Sequence, residues 1–177
     1  MLRKPRVDRG EALTVGDVMA WPAIAIDPAQ SAEDALIRMR ACGIGHLLVE
    51  RGRVALGILC ERDAESARPV RPVVDVMRVA AFVSPFDGAT RVAEILRASH
   101  ACAAVVCVGG RACGLVTRGD LIRAEVGGRW PRCGSCRSHH RVRVKRSAGV
   151  GFCEACLDSV EPFEFEELYV DLGVGDG

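Results

Sequence analysis

No apolar run in this sequence approaches the ~18–20 residues that a membrane span requires. The first ten residues, with Arg3, Lys4, Arg6 and Arg9, lack the apolar stretch of a secretory signal. The chain is therefore expected in the cytosol and off the membrane. Net charge is nearly absent, at +1, which offers no long-range attraction to nucleic acid. Lysine is scarce, Lys4 and Lys145 standing against twenty-two arginines. Arginine suits phosphate and carboxylate contacts, but genome composition produces the same bias, so it carries no functional weight. Catalytic signatures are also missing: there is no G-x-x-x-x-G-K-S/T phosphate loop, no G-x-S-x-G elbow and no H-E-x-x-H pair. His46, at the start of an apolar stretch, and His100, at a helix end, read as structural. No enzyme is expected.

What is present is an ordinary globular balance over 177 residues, 49% apolar and 27% charged. That length suits one domain of ~100–150 residues plus a small appendage held by something other than its own core. Nine cysteines are many, but without a secretion signal a disulfide framework is not expected.

The first two thirds of the chain is a duplication. Val15-Gly16-Asp17-Val18-Met19 is echoed by Val73-Val74-Asp75-Val76-Met77. From Pro28 onward a constant offset pairs Pro28 with Pro85, Val49 with Val106, Gly52 with Gly109, Gly57 with Gly114 and Asp63 with Asp120. Each unit reads as strand, helix, strand, strand, helix. Short apolar stretches at Ala23 to Ile26 and Ala81 to Val83 end at Asp27-Pro28 and Ser84-Pro85. Ser31 three before Asp34 marks a helix start, and Ala35, Leu36, Met39 and Cys42 recur at helical spacing, as do Val92, Ile95, Leu96 and Ser99. Two apolar runs then flank Arg51-Gly52 in the first unit and Gly109-Gly110 in the second. Short charged helices are predicted from Glu61 and Arg118. A unit of this size has too little interior to stand alone, so the two should pack sheet to sheet with a cleft between them.

The opening V-x-D-V-M, the D-P or S-P before the first helix and the closing G-h-h-T-x-x-D, all twice and in order, resemble tandem cystathionine-β-synthase (CBS) domains, the Bateman module, over residues 13–126. The resemblance implies an α+β fold, β-α-β-β-α twice with pseudo-two-fold symmetry, and a cytosolic regulatory protein that binds an adenosine-containing ligand of the AMP/ADP/ATP class. It also implies a homodimer formed through exposed helices. In the family the Thr and Asp of the closing motif hold the nucleotide's ribose and phosphate, which suits a carboxylate accepting from a cis-diol. The second unit matches fully, Gly114-Leu115-Val116-Thr117-Arg118-Gly119-Asp120. Thr117 and Asp120 are thus implied as ligand residues, with Arg118 placed to approach a phosphate. The first reads Gly57-Ile58-Leu59-Cys60-Glu61-Arg62-Asp63. It keeps Asp63, but it has a poor hydrogen-bonding cysteine for threonine and an extra acid at Glu61, so one good site is expected. Thr-x-x-Asp is equally a helix cap needing no ligand. Cys42, Cys60, Cys102, Cys107 and Cys113 read as small apolar fillers, with Cys60 and Cys102 near the cleft if the family geometry holds.

After Gly127-Gly128, read as a hinge, Cys133-Gly134-Ser135-Cys136 and Cys153-Glu154-Ala155-Cys156 form two C-x-x-C knuckles. Four thiolates at this spacing predict a structural zinc ribbon on Cys133, Cys136, Cys153 and Cys156, with no ligand position left for water. Arg141 to Lys145 alternates as a strand. Residues 129–146 hold seven basic groups and no acid, while residues 147–177 hold eight acids and no base. A ribbon carrying Arg141 and Arg143 could contact nucleic acid, which leaves a nucleic-acid-binding regulator, with the repeats as a dimerisation scaffold, as the alternative. The acidic segment could instead fold over the basic one, and Phe163, Phe165, Leu168, Tyr169 and Val170 could dock it on the domain or on a protein partner. The expected division is an arm at 1–12, repeats at 13–68 and 69–126, and the ribbon with its acidic tail at 127–177.

Overall fold

The computed structural model describes residues 13–128, 130–136, 142–144, 151–153 and 156. Phe163, Phe165, Leu168, Tyr169, Val170 and Arg141 lie outside them. The repeats form two three-stranded sheets with helices, a mixed α+β fold. One sheet holds β1 (Ala25–Ile26), β2 (His46–Arg51) and β3 (Val54–Cys60); the other holds β4 (Ala81–Val83), β5 (Ala103–Val108) and β6 (Arg111–Thr117). In each, the first pair is parallel and the second antiparallel, with a bulge at Val49/Glu50 in one and at the matching Val106/Cys107 in the other. The duplication thus extends to a one-residue irregularity of pairing.

The helices follow the sequence pattern. In α2 (Ala32–Cys42) Ser31 caps the first turn, its hydroxyl accepting from the Asp34 amide at 3.1 Å. Its partner is α5 (Ala89–Ala98), and the units close with α3 (Glu61–Glu65) and α6 (Arg118–Arg123). The echoed V-x-D-V-M forms a single helical turn each time, α1 (Val15–Val18) and α4 (Val73–Val76), too short for helical periodicity to reveal.

Strand alternation sorts the core into three layers. Leu47, Val49 and Leu59 face the helices of the first sheet with Ala35 and Met39, while Ala104, Val106 and Val116 face those of the second with Val92 and Leu96. Leu48, Ile58, Ala103, Val105 and Leu115 point the other way and meet between the sheets. Burial on both faces explains why these strands read as unbroken apolar runs.

The opening turns change places, which local patterning cannot foresee. Val15 and Val18 of α1 enter the core of the second repeat, and Val73 of α4 enters that of the first. The chain following each turn lies against the opposite sheet, Ala20 pairing with Leu115 and Arg78 with Ile58 through two backbone hydrogen bonds each. This crossing accounts for the glycine that opens each closing motif. A Cβ on Gly114 would lie 2.7 Å from the Ala20 carbonyl oxygen, and one on Gly57 would run into that of Arg78. We expect Gly114→Ala to destabilise the protein by about 1–3 kcal/mol through overpacking against backbone, read as a lowered urea midpoint at unchanged slope.

Candidate functional site

The two closing motifs place matching groups at the ends of β3 and β6, beside the inter-sheet layer. At α6, the Thr117 hydroxyl donates to Asp120 Oδ2 at 2.7 Å and accepts from the Asp120 amide at 3.2 Å, and the Thr117 amide donates to the same carboxylate oxygen at 2.9 Å. This is a complete capping box. The other oxygen, Oδ1, accepts from Arg123 at 2.5 Å. Arg123 is 73% exposed while Asp120 is 11% exposed.

At α3, cysteine reproduces the cap: the Cys60 thiol donates to Asp63 Oδ2 at 3.1 Å and accepts from the Asp63 amide at 3.4 Å. The Asp63 carboxylate differs in its cation. Arg78 grips both oxygens, Nε to Oδ2 at 2.7 Å and Nη2 to Oδ1 at 3.1 Å. Its backbone is itself pinned to Ile58. Arg78 is itself 51% exposed, but a forked pair on anchored backbone is harder to open than the single bond of Arg123, whose long, exposed side chain can swing into water. Arg78 occupies the position of Ala20 in the other repeat, so the duplication offset itself marks it as a departure.

Arg118, read from the sequence as a residue that could approach a phosphate, is engaged within the second repeat. Its guanidinium is buried, donates from Nη2 to the Leu96 carbonyl at 3.0 Å, and lies 5.6 Å from the centre of the Trp130 ring. Arg97 covers the same ring at 4.9 Å and donates to the Gly127 carbonyl. The expected hinge at Gly127-Gly128 is accordingly held: Trp130 is 7% exposed in the core of the second repeat, its indole N–H on the Val126 carbonyl at 3.0 Å. Aromatic burial and two stacked cations outweigh the freedom of the glycine pair.

His46 and Cys102 lie beside Cys60 of the first motif. Burial holds the His46 imidazole below its ordinary pKa, although Cys60, Asp120, Asp63 and Glu61 pull the other way. Its Nε2 is buried with no hydrogen-bond partner among the described residues. The neighbouring Cys60 brings the Cys102 thiol below the usual range against the opposing effect of burial. Cys60 and Cys102, read as fillers near the cleft, thus join the two repeats.

The four tail cysteines come together. Cys133 and Cys136 lie on one turn; β7 (Val142–Val144) and β8 (Gly151–Cys153) pair antiparallel and bring up Cys153, with Cys156 just beyond. All four Sγ atoms lie within 4.8 Å of one another, and Cys136 and Cys153 are 3.6 Å apart. Tetrahedral thiolate sites with Zn–S bonds of ≈ 2.3 Å have sulfurs about 3.8 Å apart, so this donor set fits such an ion. Burial raises the Cys133 thiol, but the amides of Cys136, Cys153 and Ser135 outweigh it and bring it to about 6. Cys156, crowded by Cys153 and Cys136, is pushed up to about 12. Four adjacent thiols cannot all ionise without a cation among them.

The CBS domain family matches the chain twice, over residues 15–68 and 72–127; the four cysteines lie beyond the match. No curated protein sequence matches. Among solved structures, the CBS domain NE2398 is 28% identical over 59% of this chain and 88% of its own, with TM-score 0.55. The CBS domain of the bacterial CNNM/CorC family Mg2+ transporter in complex with ATP is 24% identical, covering 66% and 89%, with TM-score 0.58. CBSX2 in complex with AMP is 22% identical, covering 63% and 95%, with TM-score 0.54. No helix among the described residues is long and apolar enough to cross a membrane.

Proposed function

The chain belongs to the CBS-domain family, and from that premise we propose that it is a non-catalytic regulatory protein. In this reading its repeat pair binds an adenosine-containing nucleotide of the AMP/ADP/ATP class at Thr117 and Asp120, and its four cysteines hold a structural zinc. It acts as a homodimer and passes the ligand state to a protein partner.

The observation that carries the reading is the unequal closure of two otherwise matching carboxylates. Asp120 needs only to exchange the exposed Arg123 for a ribose diol, which donates two hydrogen bonds to a carboxylate. Oδ2 can go on bonding the Thr117 amide, so the cap and the ligand site are compatible. Asp63 would have to break a forked ion pair with Arg78. The second repeat is therefore the ligand end, and the first a locked relic of the same design. Related structures holding ATP and AMP support the ligand class.

The test is thermal unfolding of the zinc-loaded chain with AMP, ADP, ATP, S-adenosylmethionine or NAD, in wild type and Asp120→Ala. A ligand at ~100 times its Kd adds about 2.7 kcal/mol. The expected result is a shift with an adenine nucleotide in wild type that shrinks to nothing in Asp120→Ala. Flat curves for every compound in wild type would overturn the nucleotide reading.

A further inference from the structure

The four-cysteine unit sits against the first repeat, although the chain reaches it from the second. Arg62, on α3 between Glu61 and Asp63, donates from Nη2 to Cys136 Sγ at 3.9 Å. At its other end the connecting segment is fixed by Trp130 between Arg97 and Arg118, and Arg118 is the first residue of α6. The short stretch from Trp130 to Cys136 is therefore a strap that joins the starts of α6 and α3. These two turns carry the paired carboxylates, close to the strap in sequence: Arg62 immediately precedes Asp63, and Arg118 lies two residues before Asp120. The duplication does not require this, because the position matching Arg62 in the second repeat is Gly119.

We propose that the cysteine cluster is a metal-dependent clasp on the ligand cleft, with Arg62 as the residue that couples metal occupancy to the position of α3. The proposal rests on the zinc reading above. A dication held by four thiolates is a dianionic centre, and an arginine donating N–H groups to its sulfurs both neutralises charge and orients the ligands. Without the metal nothing fixes the four sulfurs in one place, because a metal site of this kind is built by the ion it binds, and the hold on Arg62 through Cys136 lapses. The first turn of α3 would move as one piece, because Cys60, Asp63 and Arg78 are bonded together there. Metal binding and cleft geometry are then linked, so a ligand that depends on the α3–α6 spacing alters metal affinity by the same factor that metal alters its own.

Hydrogen exchange followed by mass spectrometry tests this on the full chain, using zinc alone as the probe and comparing metal-stripped, reduced protein with zinc-loaded protein of measured metal content. In wild type, zinc should slow exchange in the peptide covering residues 61–66 by about fivefold or more, the lower end of usual coupling strengths, besides protecting residues 131–156. In Arg62→Ala, zinc should still bind and protect residues 131–156, but the gain at residues 61–66 should vanish. Because each variant is compared with itself with and without zinc, a general loosening from the substitution cancels. Protection confined to residues 131–156 in wild type, or retained at residues 61–66 in Arg62→Ala, would overturn the clasp. Wild type that takes up no zinc would overturn the metal reading and the clasp with it, an outcome identified by metal content rather than by exchange.

Discussion

Cys133→Ser is expected to release the metal and loosen the cysteine-bearing turn at 133–136 and the β7–β8 pair while the two repeats stay folded. The small core of that segment consists of Cys133, Val142 and Cys153, with Phe152 and Cys156 against it. Three of these five are the proposed ligands, so among the described residues little apolar contact remains without the ion to oppose chain entropy. Structural zinc supplies on the order of 10–16 kcal/mol at neutral pH, and the serine hydroxyl, which does not ionise in this range, cannot replace a thiolate. Metal analysis of purified protein should give one zinc per chain in wild type and close to none in the variant. Exchange in residues 131–156 should become as fast as in an unfolded peptide. The sign of the pH dependence follows from the thiols: each must lose its proton to bind, so metal is lost as pH falls. Cys156, pushed up to about 12 in the absence of metal, releases its proton on binding. A variant that kept its zinc, or wild type without any, would refute the assignment.

Much of this architecture can be read directly from residues. The constant offset between the repeats, the alternation of strand residues and the Ser31–Asp34 cap are local signals, and each reappears in the pairing register or the hydrogen bonds. The gathering of the four tail cysteines was legible because two C-x-x-C turns leave few other ways to satisfy their spacing. What stayed hidden depends on which core a segment enters. Periodicity identifies an apolar face without saying what covers it, so the exchange of α1 and α4 between repeats was out of reach. Its one visible trace is the glycine opening each closing motif. Arg118 sits in the motif where it could approach a phosphate, but its contacts with Leu96 and Trp130 depend on a tryptophan twelve residues further on, which the motif does not show. The Asp63–Arg78 pair spans repeats in the same way. Its signal was the arginine standing where the other copy has alanine.

Trp130→Ala is the substitution expected to cost most within the repeats. The buried indole belongs to the core of the second repeat, and truncating a buried aromatic typically costs 3–5 kcal/mol. Two further losses accompany the cavity. Arg97 and Arg118 each lose a ring face, a contact worth about 0.5–2 kcal/mol when partly desolvated, and the Val126 carbonyl loses the indole donor. Water entering the cavity offsets part of this by solvating Arg118, whose guanidinium burial now penalises. The net expectation therefore stays near 3–5 kcal/mol, measured by urea unfolding of the zinc-loaded chain. Trp130→Phe separates the contributions: it keeps much of the volume and a ring for the arginines and removes only the N–H, so about 1 kcal/mol should be lost. If Trp130→Ala cost less than Trp130→Phe is expected to, the indole would be a passive cover over a mobile glycine hinge. A loss of the expected size makes it the anchor from which the strap reaches Arg62, because a clasp can transmit position to α3 only when its far end is fixed to α6.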